Sequence, residues 1–444
     1  MAVDYVYRIE QPHAVGSLAR VCAAVAQAEG LIGDVATINV GRDRSIRELS
    51  IEVRDHGQAK RVAGILAKLE GVRVLDYYDR ALRAHEGGKL NVEVARRMRT
   101  LQDMRDAYTP GVARVCTLIA EQPALASRYT TIGRTVAICT NGTRVLGLGD
   151  LGPVASMPVM EGKAMFYRQM AGISAVPILV DTDDVDEFIA TVKTVAPGFG
   201  AIHLEDIRVP ECFEIERRLK EELDVPVMHD DVHGTAVATL AAALVACDQT
   251  GIEISETVVG QVGLGAAGLG IGTLMVEAGA RAVIASDPNE ASHAEARRRG
   301  IELASYEEVM ERARLVVATT GVPGLIEPAQ VRDGQVIFAL SNPDPEIAPK
   351  DALAAGAAFA ADGTMVNNVL GFPGIFRGAL ATGASEISSS MKLAAARAIA
   401  GLSARAELVP DPLDPEVHAE VARAVADAAR ADGLARPQRA PLGL

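Results

Sequence analysis

The segment VVGQVGLGAAGLGIG, residues 258–272, constrains the fold more than any other stretch of this chain. It joins a short apolar run to a helical pattern through Gly263, Gly265 and Gly268, which stand in the G-x-G-x-x-G register. A strand that enters a helix through such a turn opens a βαβ unit, and parallel strands linked by helices build an α/β sheet. Gly263 permits the tight turn, Gly265 lets the backbone approach a pyrophosphate, and Gly268 allows the helix to pack closely on the strand. The helix N-terminus, with Ala266 and Ala267 in the same turn, supplies N–H groups and partial positive charge. In a chain with 41 glycines the spacing alone would mean little. The strand before it and the helix after it supply the context that a dinucleotide site requires.

Asp287 ends the next apolar run, where a carboxylate accepts both ribose hydroxyls of NAD and repels a 2′-phosphate. NAD is therefore the expected cofactor. NADP is the alternative, because Arg297, Arg298 and Arg299 follow within reach of a phosphate. Asp287 could equally be a turn residue at a strand end. Asn342, in ALSNPDPE, follows another apolar run, at the end of a strand where ligands of open α/β sheets bind.

The remaining strands are organised around this unit. TVVGQVG, RAVIASD, RLVVATT and QVIFALS are short apolar runs bounded by Gly, Pro, Asp or Asn, the form of parallel strands buried on both faces. TVAICT (135–140), AVPILV (175–180) and AIHLED (201–206) alternate with helical patterns in a preceding α/β region. The first ~80 residues spell βαββαβ by periodicity, a ferredoxin-like order. The expected organisation is a ferredoxin-like domain at 1–84, an α/β substrate and metal domain at 85–250 and a Rossmann-type dinucleotide domain at 251–385. C-terminal helices at 386–444 would then close back on the substrate domain. The polar stretch 85–106 reads as a linker and a solvated helix with a basic face of Arg96, Arg97, Arg99 and Arg105.

Net charge of −14 argues against a general nucleic-acid or anionic-membrane surface. The five cysteines are scattered without C-x-x-C spacing, so neither a disulfide framework nor a zinc site is indicated. MAVDYVYRIEQ lacks the basic and apolar regions of a signal peptide, and Ala236–Cys247 is shorter than the ~20 residues of a membrane span. A reduced, cytoplasmic enzyme of small metabolites is the expectation.

Three further segments carry chemistry: LGLGDLGPVASMPVMEGKAM (146–165), LEDIRVPECF (204–213) and VMHDDVHGTA (227–236). Glu205 and Asp206 are adjacent, so both can face one ligand only beyond the end of a strand. A third carboxylate from Asp230 or Asp231 would complete an oxygen shell suited to Mg²⁺ or Mn²⁺. The plainer alternative for the aspartates is N-capping of a helix beginning near Gly234. Lys163 has apolar neighbours in Met160, Ala164, Met165 and Phe166. Desolvation and a nearby divalent cation are expected to lower its pKa from ~10.4 toward working pH and suit it to act as general base. Tyr108, in AYTPGVA, sits in a loop, and Arg144, after an Asn-Gly turn, could clamp a carboxylate.

YTPGVA, VLGLGDLGPVASMPVMEGKA, LEDIRVPECFEIE, HDDVHGTA, GLGAAG, LSNP and VNNVLGFPGIFRGAL, in this order, resemble the malic enzyme family across about residues 90–400. The form resembled is the compact bacterial one with an added N-terminal ACT-like domain, since HAVGSL (13–18) is similar to the ligand loop of ACT domains. The resemblance implies Tyr108 as general acid, Lys163 as general base, and Glu205, Asp206 and Asp231 as metal ligands. It implies Arg144, Asn342 and Asn368 as contacts to L-malate, with Asn342 near the cofactor, and leaves the role of Asp230 open. Val232 departs from the family, which commonly has glutamine there in bacterial relatives. The implied reaction is NAD-linked oxidative decarboxylation of malate to pyruvate and CO₂ by a homodimer or larger homo-oligomer. A small effector would bind at the ACT-like domain. A malolactic-type enzyme giving lactate and a catalytically silent metabolite sensor are the competing readings.

Overall fold

The computed structural model describes residues 3–403 and 407–441. Two compact units divide after Lys89.

The first unit is a four-stranded antiparallel sheet of β1 (Val3–Pro12), β2 (Leu31–Val40), β3 (Arg44–Val53) and β4 (Arg73–Asp79). Its spatial order is β2–β3–β1–β4, and helices Ser17–Gln27 and His56–Leu66 complete the ferredoxin-like connectivity. Alternation along β1 turns Tyr5, Tyr7 and Ile9 inward to meet Leu49 and Ile51 of β3 and Val21, Val25, Val62 and Leu66 of the helices. β2 lies at the edge with Leu31, Val35, Ile38 and Val40 exposed.

The second unit holds two parallel sheets. One comprises β5 (Thr135–Thr140), β6 (Ser174–Leu179), β7 (Ala201–Leu204) and β8 (Val227–His229) in the order β6–β5–β7–β8. The other comprises β9 (Val258–Val262), β10 (Ala282–Ser286), β11 (Glu302–Leu303), β12 (Leu315–Ala318), β13 (Val336–Ala339) and β14 (Phe359–Asp362). Its order, β11–β10–β9–β12–β13–β14, is that of a doubly wound Rossmann sheet. β12 and β13 are buried along their whole length, as expected for strands covered on both faces.

One continuous apolar core runs through both sheets' inner faces, and a satellite core covers the other face of each. Between the sheets lies helix Asp230–Thr250, buried almost all round because its run of alanines, valines and leucines has no polar stripe. It packs against helices Ala266–Glu277 and Ser389–Leu402. Helices Phe372–Thr382 and Pro415–Ala431 pack together and against helix Gly152–Ala171, so the C-terminal segment returns to the first sheet's side. Among the described residues no helix is long and apolar enough to cross a membrane.

Gly270 marks the closest approach of two of these helices: a Cβ there would lie 2.0 Å from the Val232 carbonyl oxygen. Gly270→Ala should therefore destabilise by about 1–3 kcal/mol through overpacking, against the gain of ~1 kcal/mol that alanine brings to an exposed helix. A urea-unfolding midpoint at or above that of the unsubstituted chain would show that the two helices do not meet this closely.

Candidate active site

β7 stops at Leu204, and the next two residues leave the strand. Asp206 adopts φ +54°, a conformation uncommon for a residue with a side chain. Its N–H donates to Asp231 Oδ2 at 3.0 Å, its carbonyl accepts the Arg144 N–H at 3.1 Å, and its Oδ1 accepts the Leu146 N–H at 3.2 Å. The end of β7, the loop before helix Gly152–Ala171 and the start of helix Asp230–Thr250 thus converge on one residue, Asp206. Asp230 and Asp231 open that helix directly after β8. They are not caps of a helix beginning near Gly234, because the helix starts four residues earlier and places both carboxylates in its first turn. A negative charge there is favoured by the helix dipole.

Lys163 enters from the middle of helix Gly152–Ala171 and is only 8 % exposed. Its Nζ lies 2.5 Å from Asp230 Oδ2, 3.0 Å from Glu205 Oε1 and 4.7 Å from the centre of the Phe372 ring. The same Asp230 oxygen accepts Asn368 Nδ2 at 2.8 Å. The apolar surroundings expected of Lys163 are present, but the expected fall in its pKa is not. Burial opposes its charge, and Asp230, Glu205 and Asp231 outweigh burial, so the ammonium is held above its ordinary pKa. The carboxylates carry the complementary perturbation. Glu205 is pushed up to about 8 by burial, with Lys163 opposing. Asp206 is pushed up to about 8 by burial and by its neighbours Asp231 and Glu205. Asp230 rises to about 6, again through burial with Lys163 opposing.

A residue absent from the sequence-based set completes the cluster. His203 Nε2 lies 2.5 Å from Glu205 Oε2, and its Nδ1 lies 2.7 Å from the Tyr167 hydroxyl. Burial lowers its pKa to about 4, so the ring is neutral near pH 7. Nε2–H then donates to the carboxylate and Nδ1 accepts from Tyr167. His203 lies in β7 and Glu205 just past its end, two residues on, a spacing that in extended chain puts two side chains on the same face. That spacing was the available signal.

Glu205, Asp206 and Asp231 bring their carboxylate oxygens within 4.8 Å of one another, and Asp206 Oδ2 is buried without a partner among the described residues. An all-oxygen donor set with an orphaned carboxylate oxygen fits a hard divalent cation of the Mg²⁺ or Mn²⁺ type. His203, Glu205 and Asp230 are equally close; Lys163, Asn368 and Tyr167 engage Glu205 Oε1, Asp230 Oδ2 and His203 Nδ1, while Asp230 Oδ1 is a second buried carboxylate oxygen without a partner among the described residues.

A cleft of about 780 Å³ opens at the C-terminal ends of β9, β10 and β12, where the strand order of the Rossmann sheet reverses. Gly263 takes φ +92°, and a Cβ on it would lie 2.8 Å from the Thr319 carbonyl. A Cβ on Gly268 would lie 2.0 Å from the Gly263 carbonyl, whereas Gly265 faces open space apart from an Arg144 nitrogen at 3.7 Å. Ala266 and Ala267 begin helix Ala266–Glu277, which points its N-terminus into the cleft. Asp287 lines it too, accepting the Leu264 N–H at 2.5 Å and the Asn289 N–H at 2.7 Å. It therefore does the work of a turn residue while lining the cleft. Buried Glu346 accepts from Thr320 and Ser341 and ties the ends of β12 and β13 together, an arrangement that sequence spacing did not indicate.

With this geometry in place, similarity to known proteins is specific. Residues 87–220 match the malic enzyme N-terminal domain and residues 285–431 the malic enzyme NAD binding domain. NAD-dependent malic enzyme 1 of Bacillus subtilis is 53 % identical over 423 residues, covering 95 % of this chain and 96 % of the relative. The bifunctional malic/malolactic enzyme of the same organism is 41 % identical, covering 81 % and 94 %. The crystal structure of malic enzyme from Pyrococcus horikoshii superposes with a TM-score of 0.75 at 38 % identity, covering 80 % of this chain and 91 % of that one.

The chain belongs to the malic enzyme family.

Against the malic enzyme motifs, the structure gathers Lys163, Glu205, Asp206, Asp230, Asp231 and Asn368 into one cluster. Arg144 stands between that cluster and Gly265. Asn342, exposed just beyond β13, lies near Gly363 and makes no hydrogen bond to the cluster among the described residues. Tyr108 ends helix Leu101–Ala107 with its side chain 68 % exposed and no hydrogen bond from its hydroxyl among the described residues.

The perturbed acids have a consequence for stability. A carboxyl whose folded pKa is raised keeps more protons in the native state than in the unfolded one, so stability falls as pH rises between the unfolded and folded values. Without added cation the protein should lose stability between about pH 4.5 and pH 8 through Glu205 and Asp206. Mg²⁺ or Mn²⁺ should raise the melting temperature more at pH 8 than at pH 6. An equal shift at both values would mean that these carboxylates do not bind the ion.

Proposed function

We propose that this malic enzyme, assisted by a divalent cation, converts L-malate and NAD into pyruvate, CO₂ and NADH, using the Lys163 cluster. The observation that carries the reading is a buried lysine between two carboxylates, beside an all-oxygen cation site and next to a dinucleotide cleft. Arg144, in reach of both the cleft and Asp206, would hold a malate carboxylate through its planar guanidinium. Lys163 would take the proton of the C2 hydroxyl. Asp230, itself held by Asn368, would orient the neutral amine that accepts this proton, and Asn368 and Asn342 would contact the substrate. Glu205, Asp206 and Asp231 would hold the cation. When bound, the nicotinamide accepts hydride from C2, and the cation polarises the C2 oxygen and offsets the carboxylate charge that keeps Lys163 protonated. Tyr108 would deliver a proton to C3 after CO₂ leaves.

For the first unit, the ferredoxin-like order and the HAVGSL turn, exposed from His13 to Gly16 and with Gly16 at φ +81°, support an ACT-like regulatory module. Exposed edge strand β2 supports pairing of two such modules. The finer organisation follows the same reading: a module at 1–84, a substrate domain at 85–250, a dinucleotide domain at 251–385 and returning helices at 386–444, in a cytoplasmic homo-oligomer.

A malolactic outcome is the second reading, favoured by the bifunctional relative. Mixing the protein with L-malate, Mn²⁺ and NAD should produce NADH and pyruvate in equal amounts, and Lys163→Ala should lower kcat about 10²–10⁴-fold. Lactate without net NADH would favour the malolactic reading. Separately, Ile38→Lys on β2 should weaken self-association in sedimentation while leaving NADH formation intact, and an unchanged assembly would exclude β2 as a pairing edge.

A further inference from the structure

We propose that a second pocket, lined by helices Glu211–Glu222, Ala266–Glu277, His293–Arg298 and Ser389–Leu402, binds a small phosphate-type dianion through Lys392 and Arg299. The site goes beyond the reaction assigned above and stands without it. Its link to the cation, argued below, rests on the reading of Glu205, Asp206 and Asp231 as cation ligands.

The pocket holds about 520 Å³ and shares no lining residue with the dinucleotide cleft. Arg298 and Arg299, which sequence spacing offered to a cofactor phosphate, line this pocket and not that cleft. Lys392 enters it and is only 7 % exposed. An ammonium buried to this degree needs opposite charge in place of its hydration. Among the described residues Lys392 forms no salt bridge, and its Nζ meets His233 Nδ1 at 3.3 Å. The carboxylates lining the pocket are engaged elsewhere. Glu216 pairs with Lys220 and His233, Glu295 with Arg298 and Arg299, and Glu214 with Arg217, while Glu277 accepts the Ser389 hydroxyl. Burial and the like charges of Lys220 and Arg299 push the Lys392 pKa down to about 8, against the weaker pull of Glu277 and Glu216. A bound anion would supply the charge that these carboxylates do not.

The donors are held in advance. An ammonium can only donate, so His233 Nδ1 accepts from Lys392 and His233 Nε2–H donates to Glu216 at 3.0 Å. The ring is thereby fixed, and two of the three ammonium hydrogens remain for a ligand. Arg299 is bonded through Nε to Glu295 at 2.6 Å, and its guanidinium carbon lies 5.4 Å from the centre of the Phe213 ring. Its terminal nitrogens make no hydrogen bond among the described residues. A stacked guanidinium fork beside a fixed ammonium suits the oxygens of a phosphate. The volume admits either free phosphate or the phosphoryl end of a small metabolite. Glu216 also accepts the His229 N–H at 3.1 Å, and His229 directly precedes Asp230 and Asp231. A dianion on Lys392 thus bears, through His233 and Glu216, on the helix turn that carries Asp231.

The test is calorimetric titration of the full-length enzyme, saturated with NADH to fill the dinucleotide cleft, with inorganic phosphate and with glycerol 3-phosphate. The unsubstituted enzyme should bind one phosphate per chain. Lys392→Met, which keeps the length of the side chain without its charge, should weaken binding about 10- to 100-fold. Arg299→Met, on a different element, should do the same and serves if Lys392→Met fails to fold. Tighter binding of glycerol 3-phosphate assigns a carried phosphoryl group and equal affinity assigns free phosphate, either of which supports the site. No binding by the unsubstituted enzyme, or undiminished binding by both variants, overturns it. Phosphate should also shift the Mn²⁺ concentration for half-maximal NADH formation about fivefold or more, and not in Lys392→Met. An unchanged Mn²⁺ requirement beside intact phosphate binding overturns the link. Failure of the reaction assignment would show differently, as absence of NADH formation with and without phosphate.

Discussion

Lys163 seated between Asp230 and Glu205 is the contact on which the rest of the second unit depends. An ammonium taken out of water is costly unless opposite charge and hydrogen bonds replace its hydration. Here two carboxylates and an aromatic face do so. The lysine comes from helix Gly152–Ala171, Glu205 from the end of β7, Asp230 from the first turn of helix Asp230–Thr250, and Asn368 from the segment preceding helix Phe372–Thr382. Displacing any of these elements by an ångström or two would strand a buried charge. The chemistry and the packing are consequently one problem with one solution, and the large apolar core around the cluster is what keeps water out of it.

Strand ends do the positioning. A parallel sheet directs the C-terminal ends of its strands to one edge, and both sheets use that edge here. β7 delivers Glu205 and Asp206, and β8 runs directly into Asp230 and Asp231. In the Rossmann sheet, β9 and β10 deliver Gly263 and Asp287. Arg144 joins the two settings: its N–H is bonded to the Asp206 carbonyl and its guanidinium stands by Gly265. Arg144 thus stands between the carboxylate cluster and the glycine turn of the cleft.

Much of this was legible in the residues. Strands buried on both faces declare themselves as short apolar runs, and TVAICT coincides with β5. The glycine register located the cleft because Gly263 and Gly268 answer local steric demands while Gly265 leaves the backbone open. The adjacent acids Glu205 and Asp206 had to lie at a strand end for both to serve one ion, since alternation would otherwise send them to opposite faces. Other features were illegible for equally physical reasons. His203 and Tyr167 are far apart in sequence and meet only through packing. The Lys163 pKa moves opposite to the local expectation, because the apolar neighbours in its own helix are outvoted by acids from two other places, the end of β7 and the first turn of helix Asp230–Thr250. The tie from Glu346 to Thr320 and Ser341 spans loops that carry no mutual sequence signal.

The amino-acid sequence by itself determined the class of fold, the kind of cofactor and the set of residue types available for chemistry. These follow from periodicity, turn stereochemistry and side-chain functional groups, all of which are local. Tertiary structure alone decided which groups share a site and in what protonation state they meet, since burial and charge–charge distance are properties of the folded whole. It also decided that Tyr108 is exposed at the end of helix Leu101–Ala107 while Lys163 lies buried in the core. Only the balance of surfaces that packing leaves uncovered could separate them.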